Sequence, residues 1–393
     1  METNESMQAD SGKSCHLSWH VTARCNLSCR HCLRRAPGQP TGELDRAQLL
    51  AILDSFVHFA GDNHRDASIE FSGGDPLVRE DFLDLLAATS EARRAGPLRH
   101  VRILGNPEHL DDATARTLAA LGVDEFFVSL DGLEEENDRI RGRGNFAAAV
   151  RGIRALVKAG IRASVKATIF RPNAHQAVDL LALAIGEGVG EIVFGPLILA
   201  GSGYRLRAEA LSPAEYRGVL FGILAHLDSL GASHAALRRA ILTRDRTYAL
   251  LFFELGRIDE YRALCADAAA TGEGPRARGG HVMFVVWSDG EVVLRREMQR
   301  QGWVPRDSFQ RIYDHSYALQ LLEDRGHMER AARDAQRDHV TCRTCPVADC
   351  CPPVMVGTFG ARVLFEPNRH CWKLASPGDA APLSPVANGG EPT

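Results

Sequence analysis

Short apolar runs alternate with longer amphipathic segments through the first half of the chain. The runs are rich in β-branched or aromatic residues, and they predict strands at positions 17–22, 67–72, 100–104, 125–130, 163–170 and 191–197. Helices are predicted between these strands, beginning near Asp45, Arg79, Asp111, Asn145 and His175. The alternation predicts an α/β fold with parallel strands and right-handed crossovers, either a doubly wound sheet or a partial barrel.

Three cysteines follow the first predicted strand within eight residues, at Cys25, Cys29 and Cys32. In both architectures, ligands bind at the carboxyl ends of the strands. Thiolates are the usual ligands of iron–sulfur clusters, and a four-iron cluster takes four of them, so three leave one iron open. The alternative interpretations are a disulfide and a zinc site that lacks its fourth ligand.

Two further motifs lie at predicted strand ends. Gly73, Gly74, Asp75 and Pro76 follow the second strand, where paired glycines allow a close backbone approach and proline starts a helix. Ser129 ends the fourth strand, and Arg141 follows twelve residues later with a guanidinium suited to a carboxylate. A plain turn and a solvated basic loop are the simpler interpretations of these two motifs.

Composition bounds the class of protein. The chain has 393 residues, 45% of them hydrophobic and 24% charged, which allows a large core and more than one domain. The formal charge of −4 gives no electrostatic reason to expect nucleic acid or an anionic membrane as partner. Residues 1–14 are polar without a secretory signal, and no apolar run reaches about 18 residues, so we expect a cytoplasmic protein.

A second group of cysteines lies near the carboxyl terminus. Cys342 and Cys345 are spaced as a chelating pair, and three more thiols follow at Cys350, Cys351 and Cys371. In a reducing compartment, cysteines are expected to be metal ligands, catalytic thiols or core residues rather than a disulfide framework. Four cysteines with a two-residue gap suit tetrahedral zinc as well as an iron–sulfur cluster.

Residues 15 to about 200 resemble the radical S-adenosylmethionine (SAM) enzymes in all three motifs. The resemblance implies a partial (β/α)6 TIM-like barrel, with an open four-iron four-sulfur cluster on Cys25, Cys29 and Cys32. It also implies that residues 73–76 support the amine of SAM, and that Ser129 and Arg141 hold its carboxylate. Such enzymes cleave SAM to a 5′-deoxyadenosyl radical that abstracts a substrate hydrogen. His31 departs from the aromatic residue usual before the third cysteine.

The carboxyl-terminal region resembles the SPASM extension of many radical SAM enzymes. The resemblance implies one auxiliary 4Fe-4S cluster on four cysteines, with Cys350 as a substitute for its neighbour: Cys342, Cys345, Cys351 and Cys371. The second cluster of a full SPASM domain is not expected, because Arg295 and Met355 stand at two of its cysteine positions and Cys265 is left as an orphan. Arg296 stands where sulfatase-maturing relatives have an aspartate base, which argues against formylglycine formation.

These observations predict a domain plan. We expect a disordered start at 1–14, a radical SAM core with closing helices at 15–255, an auxiliary-cluster domain at 256–375 and a disordered tail at 376–393. The closing helices are predicted at 211–230 and 238–254, and a linker at 271–280.

The resemblance favours modification of a ribosomally made peptide by cross-linking, oxidation or epimerisation. The alternatives are a dehydrogenase or tailoring enzyme for an aminocyclitol, sugar or other small natural product, and a non-catalytic iron–sulfur scaffold or sensor. An electron donor such as flavodoxin or ferredoxin is expected as a partner. Because the first cluster cysteine comes at position 25, we also expect either a separate protein to recognise any peptide or direct binding of the peptide in the barrel.

Overall fold

The computed structural model describes residues 13–33, 42–245, 247–270, 281–293, 300–316, 319–320, 330–331, 333–334, 340–348, 354–359, 362–366 and 371. Several predictions fall outside these residues: the disordered start at 1–12, the linker at 271–280, the tail at 376–393, and Arg295, Arg296, Cys350 and Cys351.

Six parallel strands form the centre of the protein and follow one another in sequence order. They are β1 (Ser14–Thr22), β2 (Asp66–Gly73), β3 (Leu98–Gly105), β4 (Glu125–Ser129), β5 (Arg162–Ile169) and β6 (Glu191–Pro196). Each strand pairs in parallel with the next, which confirms the predicted α/β fold. Both faces of the sheet are covered, since consecutive residues of β1 are buried, and its strands are apolar runs rather than alternating ones.

Three more strands extend this sheet beyond β1. β7 (His281–Val286) pairs in parallel with β1, and β8 (Glu291–Val293) and β9 (Arg300–Trp303) continue it antiparallel. Gly290 turns the β7–β8 hairpin at a φ of +86°, and a Cβ there would lie 2.0 Å from the Val304 carbonyl oxygen. Residues 281–293 and 300–303 therefore continue the sheet of the first half. The predicted boundary between 255 and 256 stays a prediction. β10 (Val354–Phe359) and β11 (Arg362–Glu366) form a separate antiparallel pair.

Helices connect the strands and close the fold. Those between the six parallel strands are α1 (Arg46–Asp62), α2 (Phe82–Ala95), α3 (Asp112–Ala120), α4 (Glu134–Arg141), α5 (Asn145–Lys158) and α6 (Ala177–Gly186). The later ones are α7 (Pro213–Ser229), α8 (Ala235–Arg244), α9 (Tyr248–Glu254), α10 (Ile258–Ala270), α11 (Phe309–His315) and α12 (Val340–Arg343). Asp45, Asp111 and Ser212 cap α1, α3 and α7 through their side chains, as their positions in the sequence predict.

The structure adds one helix that the sequence did not predict and corrects two helix predictions. Arg139 and Arg141, for which a solvated basic loop was the simpler interpretation, belong to α4; its one buried apolar residue is Ile140, which gives the sequence no clear apolar periodicity. The helix expected near Arg79 starts at Phe82, because residues 76–78 form a short 3-10 turn first. The predicted helix at 238–254 is two helices, divided at Asp245, whose side chain accepts a hydrogen bond from the Thr247 amide at 2.8 Å.

No single helix in the described part of the chain has both the length and the apolarity of a membrane span. One pair of helices meets both criteria only when taken together, Pro213–Ser229 and Ala232–Arg244, and this pair is bent by 119°.

Candidate active site

The three clustered cysteines lie in the loop at residues 23–33, here called the cysteine loop, which leaves the carboxyl end of β1. Glu43 fastens its start, accepting hydrogen bonds from the Thr22 hydroxyl at 2.6 Å and the Ala23 amide at 2.8 Å. Within the loop, the Cys32 amide donates to the Cys29 carbonyl at 3.3 Å. Cys25 is exposed, whereas Cys29 and Cys32 are half-buried.

Asn106, at the carboxyl end of β3, also reaches this loop. Its side-chain amide donates to Cys25 Sγ at 3.2 Å and to the Asn26 side-chain oxygen at 2.7 Å. Sequence reasoning missed this residue, although its place directly after a predicted strand was a signal that could have found it. Hydrogen bonds to a ligating sulfur are one of the levers that set the potential of an iron–sulfur cluster.

The paired glycines bring the end of β2 against the cysteine loop. The Gly74 amide donates to the Thr22 carbonyl and the Asp75 amide to the Arg24 carbonyl, each at 2.8 Å. A Cβ on Gly73 would lie 2.2 Å from the Thr22 oxygen, and one on Gly74 would lie 1.9 Å from the Arg24 oxygen. Gly73 also has a φ of +145°, which side chains rarely adopt. The close approach is thus between two backbone segments, and it positions the loop itself.

Asp75 follows these glycines and is completely buried. Its Oδ1 accepts hydrogen bonds from the amides of Leu77 and Asn106, each at 3.3 Å. Its Oδ2 is buried and has no hydrogen-bond partner in the described part of the chain. Burial raises the pKa of this carboxyl to about 6, although the two amide hydrogen bonds oppose the rise. Pro76 starts the short 3-10 turn that follows.

Asp131, directly after β4, joins the loop to the neighbouring strands and is also completely buried. Its Oδ1 accepts a hydrogen bond from the Thr168 amide of β5 at 2.8 Å. Its Oδ2 lies 3.2 Å from His31 Nε2 and 2.7 Å from Arg141 Nε. The contact with Arg141 is a buried ion pair. The sequence motif around Ser129 contained Asp131, but its role as a charged partner was not foreseen.

Arg141 is the last residue of α4 and is buried, so it does not lie in a solvated loop. Its Nη1 lies 3.8 Å from Cys29 Sγ, and its Nη2 lies 3.5 Å from His31 Nε2. Burial disfavours the charged guanidinium, but Asp131 and Cys29 outweigh that effect and raise the pKa of Arg141. Ser129, the other residue predicted to act with it, ends β4 half-buried at the same edge of the sheet.

The thiols have the chemistry of soft-metal ligands. Burial raises the pKa of Cys29 to about 11, against the opposing effect of Arg141. A bound metal ion reverses this balance, since its positive charge deprotonates a coordinating thiol. Cys25, Cys29 and Cys32 come together in one loop, yet across the described ranges no three His, Cys, Asp or Glu side chains are in position to chelate an ion. The donor types and the unpartnered Asp75 oxygen fit a cluster that carries an amino-acid ligand.

The carboxyl-terminal cysteines are described in part. Cys342, Cys345 and Cys371 are half-buried, and the Cys345 amide donates to the Cys342 carbonyl at 3.1 Å. Burial raises the pKa of Cys342, and Cys371 and Cys345 raise it further because all three thiols lie near one another. Cys265 lies in α10 and packs against the hydrophobic core. Met355 lies in β10.

Proteins of known sequence match about half of this chain. Fe-coproporphyrin III synthase of Methanosarcina barkeri is 34% identical over 201 residues, which is 51% of this chain and 48% of that protein. Pre-heme d1 synthase of Dinoroseobacter shibae is 33% identical over 202 residues, 51% of this chain and 47% of that protein. Mycofactocin maturase MftC of Mycobacterium ulcerans is 34% identical over 170 residues, 43% of each chain. The chain spans about half the length of the curated relatives it matches.

Solved structures match nearly the whole chain. The structure of anSMEcpe with bound AdoMet has a TM-score of 0.63 at 16% identity, covering 91% of this chain and 94% of that one. Streptococcus suis SuiB bound to S-adenosylmethionine has a TM-score of 0.57 at 14% identity, covering 92% and 77%. This likeness confirms the partial TIM-like barrel. Residues 19–184 also match the family model of the radical SAM superfamily, so this part of the chain is a radical SAM domain.

Proposed function

We propose that the chain is a radical SAM enzyme whose Cys25, Cys29 and Cys32 hold a four-iron four-sulfur cluster with one iron open to SAM. When bound, the cluster and SAM supply an electron that cleaves the sulfonium and a 5′-deoxyadenosyl radical that abstracts a substrate hydrogen. The observation that carries this proposal is a convergence at one edge of the parallel sheet. Three thiols, the Arg141 guanidinium and a buried carboxylate oxygen of Asp75 that has no partner among the described residues all lie there.

Each of these groups has a role that its chemistry suits. Asp75 Oδ2 accepts a hydrogen bond from the ammonium group of SAM. This donor would satisfy a buried oxygen that has no other partner among the described residues. Arg141, with Ser129 at the same edge, binds the SAM carboxylate through its Nη atoms. Gly73 and Gly74 hold the cysteine loop against β2.

The catalytic proposal is tested by reconstituting the protein anaerobically and measuring 5′-deoxyadenosine released from SAM under a strong reductant. Wild type should release it, and Cys29→Ala should abolish the release. Cys15→Ala is the matched control, because Cys15 is a fully buried thiol within β1 and should leave the release intact. A wild type that binds iron and SAM but releases none would instead support the non-catalytic scaffold.

The role of Asp75 has its own measurement. Charge-assisted hydrogen bonds contribute about 1.5–3 kcal/mol, so Asp75→Asn should weaken SAM binding to the reconstituted protein by about tenfold or more. Equal SAM affinity in the two proteins, measured by equilibrium dialysis, would rule out an ion pair between Asp75 and the ammonium group.

We further propose one auxiliary 4Fe-4S cluster on Cys342, Cys345, Cys371 and Cys351, with Cys350 as the substitute. The nearness of the first three thiols supports it. Two four-iron clusters give about eight irons per chain. Cys371→Ser should lower the count to about four and leave SAM cleavage in place. Zinc at this site, or about four irons in wild type, would contradict the auxiliary cluster.

For the substrate, we propose a ribosomally made peptide. Two proteins of the same fold hold peptides, SuiB with its precursor peptide SuiA and anSMEcpe with the Cp18Cys peptide, so this fold admits a peptide. The 34% identity with a mycofactocin maturase supports a maturation role. We expect a flavodoxin or ferredoxin as electron donor, a separate peptide-recognition protein and a cytoplasmic location.

A small molecule is the second candidate, and the comparisons favour a tetrapyrrole. Four relatives between 31% and 34% identical are named as synthases of Fe-coproporphyrin III, pre-heme d1 or heme. The two candidates are separated by adding either an iron porphyrin or a precursor peptide encoded beside the gene. Stimulation of 5′-deoxyadenosine release by the peptide alone supports the first candidate, and stimulation by the porphyrin alone supports the second.

A further inference from the structure

The buried carboxylate of Asp131 contacts both the cysteine loop, at His31, and the end of α4, at Arg141. One carboxylate oxygen faces two nitrogen groups, His31 Nε2 at 3.2 Å and Arg141 Nε at 2.7 Å. Arg141 Nη1 in turn lies 3.8 Å from Cys29 Sγ. Because Arg141 and Asp131 are both buried, solvent screens their charges little at this site.

Asp131 is itself held on several sides. Its backbone amide donates to the Asn137 side-chain oxygen at 3.0 Å, and its carbonyl accepts from the Asn173 side chain at 2.5 Å. The Asn137 side-chain amide donates to the Asn145 side-chain oxygen at 2.9 Å, which extends the buried network to α5. Together with the Thr168 hydrogen bond to its carboxylate, these contacts fix where the Asp131 charge lies.

The second half of the cysteine loop is tied to three parts of the fold. The Arg30 amide donates to the Ile140 carbonyl of α4 at 3.0 Å, and the Cys32 carbonyl accepts from the Ser202 amide after β6 at 2.9 Å. Between these two backbone contacts, His31 Nε2 lies 3.2 Å from Asp131 Oδ2. Arg141 follows Ile140 directly, so α4 carries both a backbone anchor of the loop and the cation beside Cys29.

We propose that Asp131 is a positioning residue that sets the effective charge beside Cys29 by pairing with Arg141, and thereby sets the reduction potential of the cluster. The inference rests on the proposed cluster at Cys25, Cys29 and Cys32. Removing the Asp131 charge leaves the Arg141 charge uncompensated, 3.8 Å from a ligating sulfur. An uncompensated positive charge favours the more negative, reduced cluster, so the midpoint potential rises.

The experiment is a redox titration of the reconstituted protein without SAM, followed by the electron paramagnetic resonance signal of the reduced cluster. All proteins carry Cys371→Ser, so that the auxiliary site does not contribute. Asp131→Asn should raise the midpoint potential by about 59 mV or more, a tenfold change in the one-electron equilibrium. The paired variant Asp131→Asn with Arg141→Gln removes both charges and should return the potential toward that of the Cys371→Ser parent.

The matched control is Asp124→Asn. Asp124 directly precedes β4, at the opposite end from Asp131, and forms an ion pair with Arg93 at 2.9 Å. This substitution should leave the potential unchanged. If Asp131→Asn has the same midpoint potential as Asp124→Asn, the proposal is overturned.

Asp131→Asn could also fail to take up iron, and this outcome tests the proposal too. The proposal then requires that the paired variant, Asp131→Asn with Arg141→Gln, takes up iron again. If both variants fail equally, the role of Asp131 is purely structural and the proposal is overturned. If the parent holds no iron in the cysteine loop, the proposed function itself fails, which is a separate and distinguishable result.

Discussion

The buried carboxyl of Asp75 should make the stability of the metal-free protein depend on pH. Its pKa is raised from an ordinary value of 3.8 to about 6, chiefly by burial. The folded state therefore holds this proton more tightly than the unfolded state does. Its contribution to stability is fully present below pH 3.8 and is lost as the pH rises through about 6.

The magnitude follows from the size of the pKa change. Each unit of pKa corresponds to about 1.4 kcal/mol, so the change at Asp75 corresponds to about 3 kcal/mol. Asparagine does not titrate. The free energy of unfolding of Asp75→Asn, relative to wild type, should therefore increase by about 2.4 kcal/mol between pH 4 and pH 7, since the rest of the change lies below pH 4. Well below pH 3.8 the variant gains nothing, because the wild-type carboxyl is protonated in both the folded and the unfolded state there.

Urea unfolding of the reduced, metal-free protein, followed by tryptophan fluorescence at several pH values, measures this difference. Asp124→Asn gives a control of opposite sign. Although burial opposes it, hydrogen bonds from His100, Val101 and Arg93 lower the pKa of Asp124 to about 2. Its contribution is present above the unfolded pKa and is lost as the pH falls, so its substitution should cost most at neutral pH. A constant difference between Asp75→Asn and wild type from pH 4 to pH 7 would refute the reasoning for Asp75.

Two further substitutions, each with a control, test the support of the cysteine loop by urea unfolding. Gly74→Ala should destabilise the metal-free protein by about 3 kcal/mol or more, because its Cβ would lie 1.9 Å from the Arg24 carbonyl oxygen. Gly218→Ala, in open space within α7, should instead stabilise it by about 1 kcal/mol, and a loss there would contradict the helix. Arg79→Lys should cost about 2–4 kcal/mol, since the buried guanidinium donates to two backbone carbonyls and a carboxylate that one ammonium cannot all reach. Arg99→Lys, at an exposed ion pair, should change stability by less than about 1 kcal/mol, and an equal loss at both arginines would show that burial is not the cause.

Local sequence patterns were enough to predict the strands of the barrel. Both faces of the sheet are covered, so its strands appear as apolar runs whose ends differ from the observed ones by a few residues. Helices that begin at a capping residue were equally readable, as at Asp45 and Asp111. The helix α4 was not, because it is held by the polar contacts of Asn137 and Arg141 rather than by an apolar face.

The candidate site also has features that the sequence predicts and features that it does not. The spacing of Cys25, Cys29 and Cys32 in itself indicates chelation, because ligands in one short loop come together whatever the rest of the fold does. The place of Asn106 after a predicted strand made it a candidate, but its contact with Cys25 could not be predicted, since that contact depends on β3 lying two strands away from β1 in the sheet. Prediction could say that motifs at strand ends meet at one edge, but not which atoms touch.

The sequence by itself determined the alternation of strands and helices, the cysteine spacing and the paired glycines at the end of β2. Those features depend on residues that are neighbours in the chain. Only the tertiary structure decided that Asp131 faces both His31 and Arg141, and that one buried oxygen of Asp75 has no partner among the described residues. These charges come from separate segments, and their pairing depends on the distances between elements and on the exclusion of water, neither of which a local pattern records.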